Sequence, residues 1–131
     1  MTSWLDSLPH QIPFRAASRA VRTGEREIVG AFLCTANDAL AEGVVVDVLL
    51  FEAMAQVAGS LVFDSPGREA LLSGIEEASL DAPVTAGDLI EIRVDLEAEF
   101  GGIYRFRATA TREGLAIARA RFYLAEQKPS E

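Results

Sequence analysis

DVLLFEAMAQVAGSLVF, residues 47–63, is the stretch whose reading decides the fold. A surface helix carries one apolar stripe and one charged one. Here Val48, Leu49, Leu50, Phe51, Ala53, Met54, Ala55, Val57 and Ala58 point apolar groups in every direction. Such a helix has to be enclosed. Asp47 reads as its N-cap, its carboxylate accepting from the unpaired N–H groups of the first turn. Asp64-Ser65-Pro66-Gly67 is a strong stop. The small residues Ala53, Ala55, Ala58, Gly59 and Ser60 allow close approach of whatever encloses it.

Between Val48 and Phe63 the single ionisable side chain is Glu52. A carboxylate in a buried helix is costly unless paired, hydrogen-bonded or protonated. That environment suits a general acid or base; the structural alternative is a carboxylate satisfied in a polar dimer seam. Gln56, one turn on, has the reach to hydrogen-bond Glu52 or a ligand, or to serve structure alone.

Outward from the helix, the pattern is that of strands. Phe14 to Arg22 and Arg26 to Thr35 precede it, separated by a turn at Thr23-Gly24-Glu25. Ala36 to Val46 is a loop by composition. After the helix, Leu71 to Leu80 is strand-like, and Leu89 to Phe100 alternates apolar and polar residues as a half-buried strand does. Turns at Gly101-Gly102 and Glu113-Gly114 separate it from Ile103 to Arg112 and Leu115 to Ala125. The expected layout is α+β: two strands, one helix near 47–63, then a four-strand antiparallel meander. About six strands would form a curved sheet wrapped around the central helix. One domain is expected over 1–131, with a core near 7–125 and a polar tail at 126–131.

Composition narrows the function classes. Net charge is −8 and the twelve basic residues are scattered, which disfavours nucleic acid. Arg15, Arg19, Arg22 and Arg26, or Arg105 and Arg107, are the groups with the sequence spacing to form a local basic patch; a solvated strand face is the plainer reading. Cys34 is the only cysteine and His10 the only histidine, so neither an intrachain disulfide nor an ordinary zinc site is available. No metal or cofactor is expected. The longest apolar run, Val48 to Phe63, is interrupted by Glu52 and Gln56 and falls short of the roughly 18 to 20 residues of a membrane span. No basic leader precedes an apolar stretch at the N-terminus, so a cytoplasmic location is the default.

These residues also resemble a known family. Val48-Leu49 followed by Phe51-Glu52-Ala53-Met54-Ala55-Gln56 is similar to the central helix of the 3-hydroxyacyl-acyl carrier protein dehydratases, which reads P-G-V-L-x-x-E-A-M-A-Q. Leu8-Pro9-His10 with Pro13-Phe14 resembles that family's opening. Cys34-Thr35-Ala36-Asn37-Asp38 resembles its V-T-x-N-E, and Leu72-Ser73-Gly74-Ile75 with Pro83-Val84 and Gly87-Asp88 its F-x-G-I and R-P-V-x-P-G-D. The resemblance runs in collinear order from about residue 7 to 125. It implies a hotdog fold, a homodimer or higher oligomer with sites at the interface, and an acyl thioester substrate on acyl carrier protein or coenzyme A. It makes Glu52 the catalytic carboxylate and places Asp47, Val48 and Gln56 against substrate.

Two departures stand out. The family's G-H-F-P-G loop supplies a catalytic histidine. Here 14 residues separate Asn37 from Glu52, and none is histidine. Counting back from Glu52 without a gap puts Asp38 at the histidine position; aligning on Thr35 and Asn37 implies a shortened loop instead. The second departure is Val46-Asp47 in place of P-G, where a glycine N–H would polarise the thioester carbonyl. An aspartate there competes for the same N–H groups. Three readings follow. The chain is a dehydratase using Glu52, alone or with Asp38; or a non-catalytic subunit partnering an active dehydratase; or a hotdog thioesterase using Asp47 or Glu52. The side chains of Phe51, Met54, Phe100 and Phe122 are candidates to set the length of an acyl tunnel.

Overall fold

A computed structural model describes residues 19–33, 46–63, 69–85 and 87–127. The strands are β1 (Arg19–Arg22), β2 (Glu27–Leu33), β3 (Glu69–Leu80), β4 (Leu89–Phe100), β5 (Ile103–Arg112) and β6 (Leu115–Gln127). The helix α1 spans Val46–Val62. All six strands form one antiparallel sheet in the order β1-β2-β4-β5-β6-β3, with the helix against one face. This is the hotdog arrangement.

The expected four-strand meander is corrected. Of these four strands, only β4, β5 and β6 follow one another through hairpins; β3 pairs with β6, and β2 pairs with β4. The helix carries the chain from the β2 side of the sheet to the far edge, where β3 forms. The segment after β3 then returns to β4 beside β2. Several boundaries move by one or two residues, among them the start of β3 at Glu69. Helical backbone begins at Val46, so Asp47 stands in the first turn rather than at the cap, whose backbone is non-helical. Glu126 and Gln127 are not tail but the end of β6, opposite Ala70 and Glu69. The stretch 14–18 of the expected first strand lies outside the described residues.

Alternation in β4 and β5 decides the core. Ile90, Ile92, Val94, Phe106, Ala108 and Ala110 all face inward and are fully buried. Leu50, Ala53, Met54, Val57 and Ala58 of α1 meet them, likewise without solvent contact. Phe106 stacks on Phe122 at 5.7 Å between ring centres. The β4–β5 and β5–β6 hairpins turn on residues with positive φ, Gly101-Gly102 and Glu113-Gly114, the combination that matches the right-handed strand twist. Arg22 of β1 donates to the Leu61 carbonyl, supplying at the C-terminus of α1 the cation that its own last turn lacks.

The helix sits off-centre. It packs mainly on β2 and β4 and only lightly on β3 and β6. The expectation of a helix enclosed all round is therefore met on one side only: Phe51, Glu52, Ala55 and Val62 are half-buried.

Candidate functional site

The off-centre helix leaves a cavity of about 270 Å³ between α1 and the β3–β6 edge of the sheet. Phe51, Glu52 and Ala55 form its helix wall. Leu72, Ile75 and Ala78 of β3, with Ala120 and Phe122 of β6, form the opposite wall. Glu52 is the one ionisable side chain among these. It makes no hydrogen bond or ion pair among the described residues. A carboxylate on an apolar wall, without a partner among the described residues, is within reach of a molecule bound in the cavity.

The strand wall has an unusual origin. In a regular strand, residues three apart face opposite sides of the sheet. Leu72, Ile75 and Ala78 nevertheless stand opposite the inward-facing Leu124, Phe122 and Ala120 of β6. Two β-bulges make this possible: Ser73 and Glu76 are each an extra residue in β3, and each resets the alternation. The three-residue spacing of Leu72, Ile75 and Ala78, with the bulge-compatible Ser73-Gly74 between, is the sequence signal that a reading for simple alternation passes over. β3 is an edge strand, and Leu72 and Ile75 remain 49% and 58% exposed.

The other expected residues fall as follows. Gln56 is 4% exposed and buried on the core side; it neither lines the cavity nor bonds to Glu52. The backbone of Asp47 and Val48 lies in the first turn of α1, one turn before Glu52. Asp38 and His10 lie outside the described residues. Of the candidate tunnel residues, Phe51 and Phe122 do line the cavity. Met54 is buried in the core instead, and Phe100 is 60% exposed at the β4–β5 hairpin. Of the candidate basic patches, Arg15 lies outside the described residues; Arg22 donates to the Leu61 carbonyl, Arg26 donates to the Leu96 carbonyl at 3.0 Å, and Arg105 lies 3.5 Å from Glu97.

Outside the cavity, the sheet's outer face holds a carboxylate pair. Glu27 and Asp95 stand directly opposite across β2 and β4. Partial burial, then the charge of Glu27, raises the Asp95 carboxyl above the ordinary aspartate range. Glu27 is lowered, first by the Thr23 hydroxyl at 2.6 Å and then by Arg93 at 3.2 Å.

Comparison with known proteins bears on the family and the fold. No protein-family model matches the chain. It is 34% identical over 119 residues to the 3-hydroxyacyl-acyl-carrier-protein dehydratase FabZ of Acinetobacter baylyi, covering 82% of this chain and 80% of the relative. Among solved structures, the dehydratase heterocomplex ApeI:P of Xenorhabdus doucetiae superimposes with a TM-score of 0.77 at 15% identity, covering 97% of this chain and 91% of that one. A hypothetical thioesterase of Streptococcus pneumoniae, solved with coenzyme A, gives 0.66 at 13% identity, covering 88% and 91%. At these identities the two structures speak to the fold alone. The sequence relationship, together with Glu52 on the cavity wall, carries the assignment: the chain belongs to the family of 3-hydroxyacyl-acyl-carrier-protein dehydratases, FabZ.

Proposed function

We propose that the chain works as a dimer and removes water from a 3-hydroxyacyl thioester, with Glu52 as its acid–base residue. The observation that carries this is the placement of Glu52, without a partner among the described residues, on the wall of an apolar cavity large enough for an acyl chain. Glu52 takes the proton from C2 of the substrate and returns it to the departing C3 hydroxyl, so that water leaves and a C2–C3 double bond remains. Asp38, at the family's histidine position in the gap-free reading, is its companion carboxylate. Two carboxylates divide such roles when their surroundings separate their pKa values. Asp47 and Val48 border the thioester end, because the first turn of α1 leads into Glu52. Dimerisation is supported by β3, a long edge strand with exposed apolar side chains, which proteins cover or charge rather than leave open.

The test is turnover of a short 3-hydroxyacyl thioester in both directions, for wild type and Glu52→Gln. Wild-type turnover with a loss of about 10²- to 10⁴-fold in the variant is expected for one acid–base group. Equal turnover in the two proteins would sink the role of Glu52. A second reading, a non-catalytic subunit that partners an active dehydratase, is favoured by the single histidine being His10. Absence of wild-type turnover, restored by a partner subunit whose own site is intact, would select it. Release of free thiol from an acyl thioester would instead select a thioesterase.

A further inference from the structure

The two bulges of β3 are gripped from the outer face of the sheet by residues of β6. The Ser73 hydroxyl donates to the Tyr123 carbonyl at 3.3 Å, and the Tyr123 hydroxyl donates to Glu76 Oε1 at 3.2 Å. Both bulge residues are thus tied to position 123, Ser73 through the main-chain carbonyl and Glu76 through the tyrosine hydroxyl. Arg121, two residues earlier, lies 3.7 Å from Glu76 and donates to Glu97 at 2.8 Å. Glu97 is itself the extra residue of a bulge in β4, between Leu96 and Ala98. Outer-face side chains therefore hold the extra residues that reset the inner face.

We propose that Tyr123, clamping the second bulge through its hydroxyl on Glu76, is a positioning residue that sets how the cavity receives an acyl chain. Its own ring lies on the outer face and lines no part of the cavity. Ile75 sits between the two bulges, and Ala78 follows the second. If the bulge at Glu76 relaxes, the alternation beyond it inverts and Ile75 or Ala78 leaves the wall. The chain-terminal part of the ligand then loses apolar contact, while the thioester end near Glu52 keeps its surroundings. Tyr123 is thereby a determinant of chain-length preference. This rests on the acyl-thioester reading given above.

The experiment compares binding of butanoyl-, octanoyl- and dodecanoyl-pantetheine to wild type, Tyr123→Phe, Glu76→Gln and the double variant. Each methylene buried in wild type should raise affinity about fourfold until the cavity is full. Tyr123→Phe should lower the octanoyl-to-butanoyl affinity ratio about tenfold, the equivalent of one to two methylenes, with butanoyl binding changed by less than about twofold. Glu76→Gln should act in the same direction, and the double variant by less than the sum, since both break one contact. Faster amide exchange confined to the middle of β3 should accompany the change. An unchanged ratio in both folded single variants would overturn the proposal, as would a change of oligomeric state with no change of ratio, which would make the bulges edge protection only. Wild type binding none of the three thioesters would remove the acyl-thioester reading itself, and the chain-length role with it; the amide-exchange difference would then report on the clamp alone.

Discussion

β4 and β3 are of equal length, twelve residues each, and stand for two ways of using a strand. From Leu89 to Asp95, β4 keeps strict alternation, so Ile90, Ile92 and Val94 all reach the helix and vanish from solvent. β3 inserts two extra residues, turns Leu72, Ile75 and Ala78 to one side, and leaves them facing a void instead of a packed helix. The regular strand generates stability. The bulged strand shapes a wall, and its apolar surface is left for a ligand or another chain. That contrast follows from one geometric fact, the off-centre seat of α1.

The contrast breaks most visibly under substitution of core against wall. Phe106→Ala, on the β4–β5 side, removes a fully buried ring stacked on Phe122 and should cost about 3 to 5 kcal/mol in urea unfolding. Ile75→Ala, on the bulged strand, should cost under about 1 kcal/mol in the isolated subunit because the side chain is largely exposed there. A loss at Ile75 approaching that at Phe106 would mean that the wall is core after all.

Charging the wall sharpens the comparison next. Leu72→Lys with Ile75→Lys places two like charges along the open edge strand, a device that keeps edges from pairing. Sedimentation should show the variant as a monomer with a folded circular-dichroism spectrum, against a wild-type dimer. An unaltered dimer would place the interface elsewhere.

The smallest effect concerns the loop that links the two strands. Asp88 accepts the Thr85 amide at 2.8 Å, and Arg112 of β5 donates to it at 2.8 Å. The Thr85 amide first, and Arg112 next, hold its carboxyl below the ordinary aspartate range. The folded value lies below the unfolded one. Its contribution is therefore present above the unfolded pKa of about 4 and is lost as pH falls through the folded value. A series of melting temperatures between about pH 3 and pH 6 should fall more steeply for wild type than for Asp88→Asn. Parallel curves would show that the loop is held by backbone contacts alone.

Reading outward from residues 47–63, the sequence by itself determined the kind of elements and, among the described residues, their ends to within about two positions. Helix period, strand alternation and the Gly101-Gly102 and Glu113-Gly114 turns are local properties, written in neighbouring residues. Glu52 was legible for the same reason: a lone charge in an apolar helix is conspicuous without coordinates. The order of the strands was not legible. β3 alternates no less plausibly beside β4 than beside β6, and only the path of α1 across the sheet sends it to the far edge. The cavity wall was not legible either, because a bulge is defined by the partner strand opposite it. Tyr123 and Glu76 are 47 residues apart in the chain, and only the β3–β6 pairing brings the hydroxyl to the carboxylate. Local patterning specifies what each segment becomes; which segments meet, and so where Glu52 finds its cavity, is decided by packing between residues far apart in the chain.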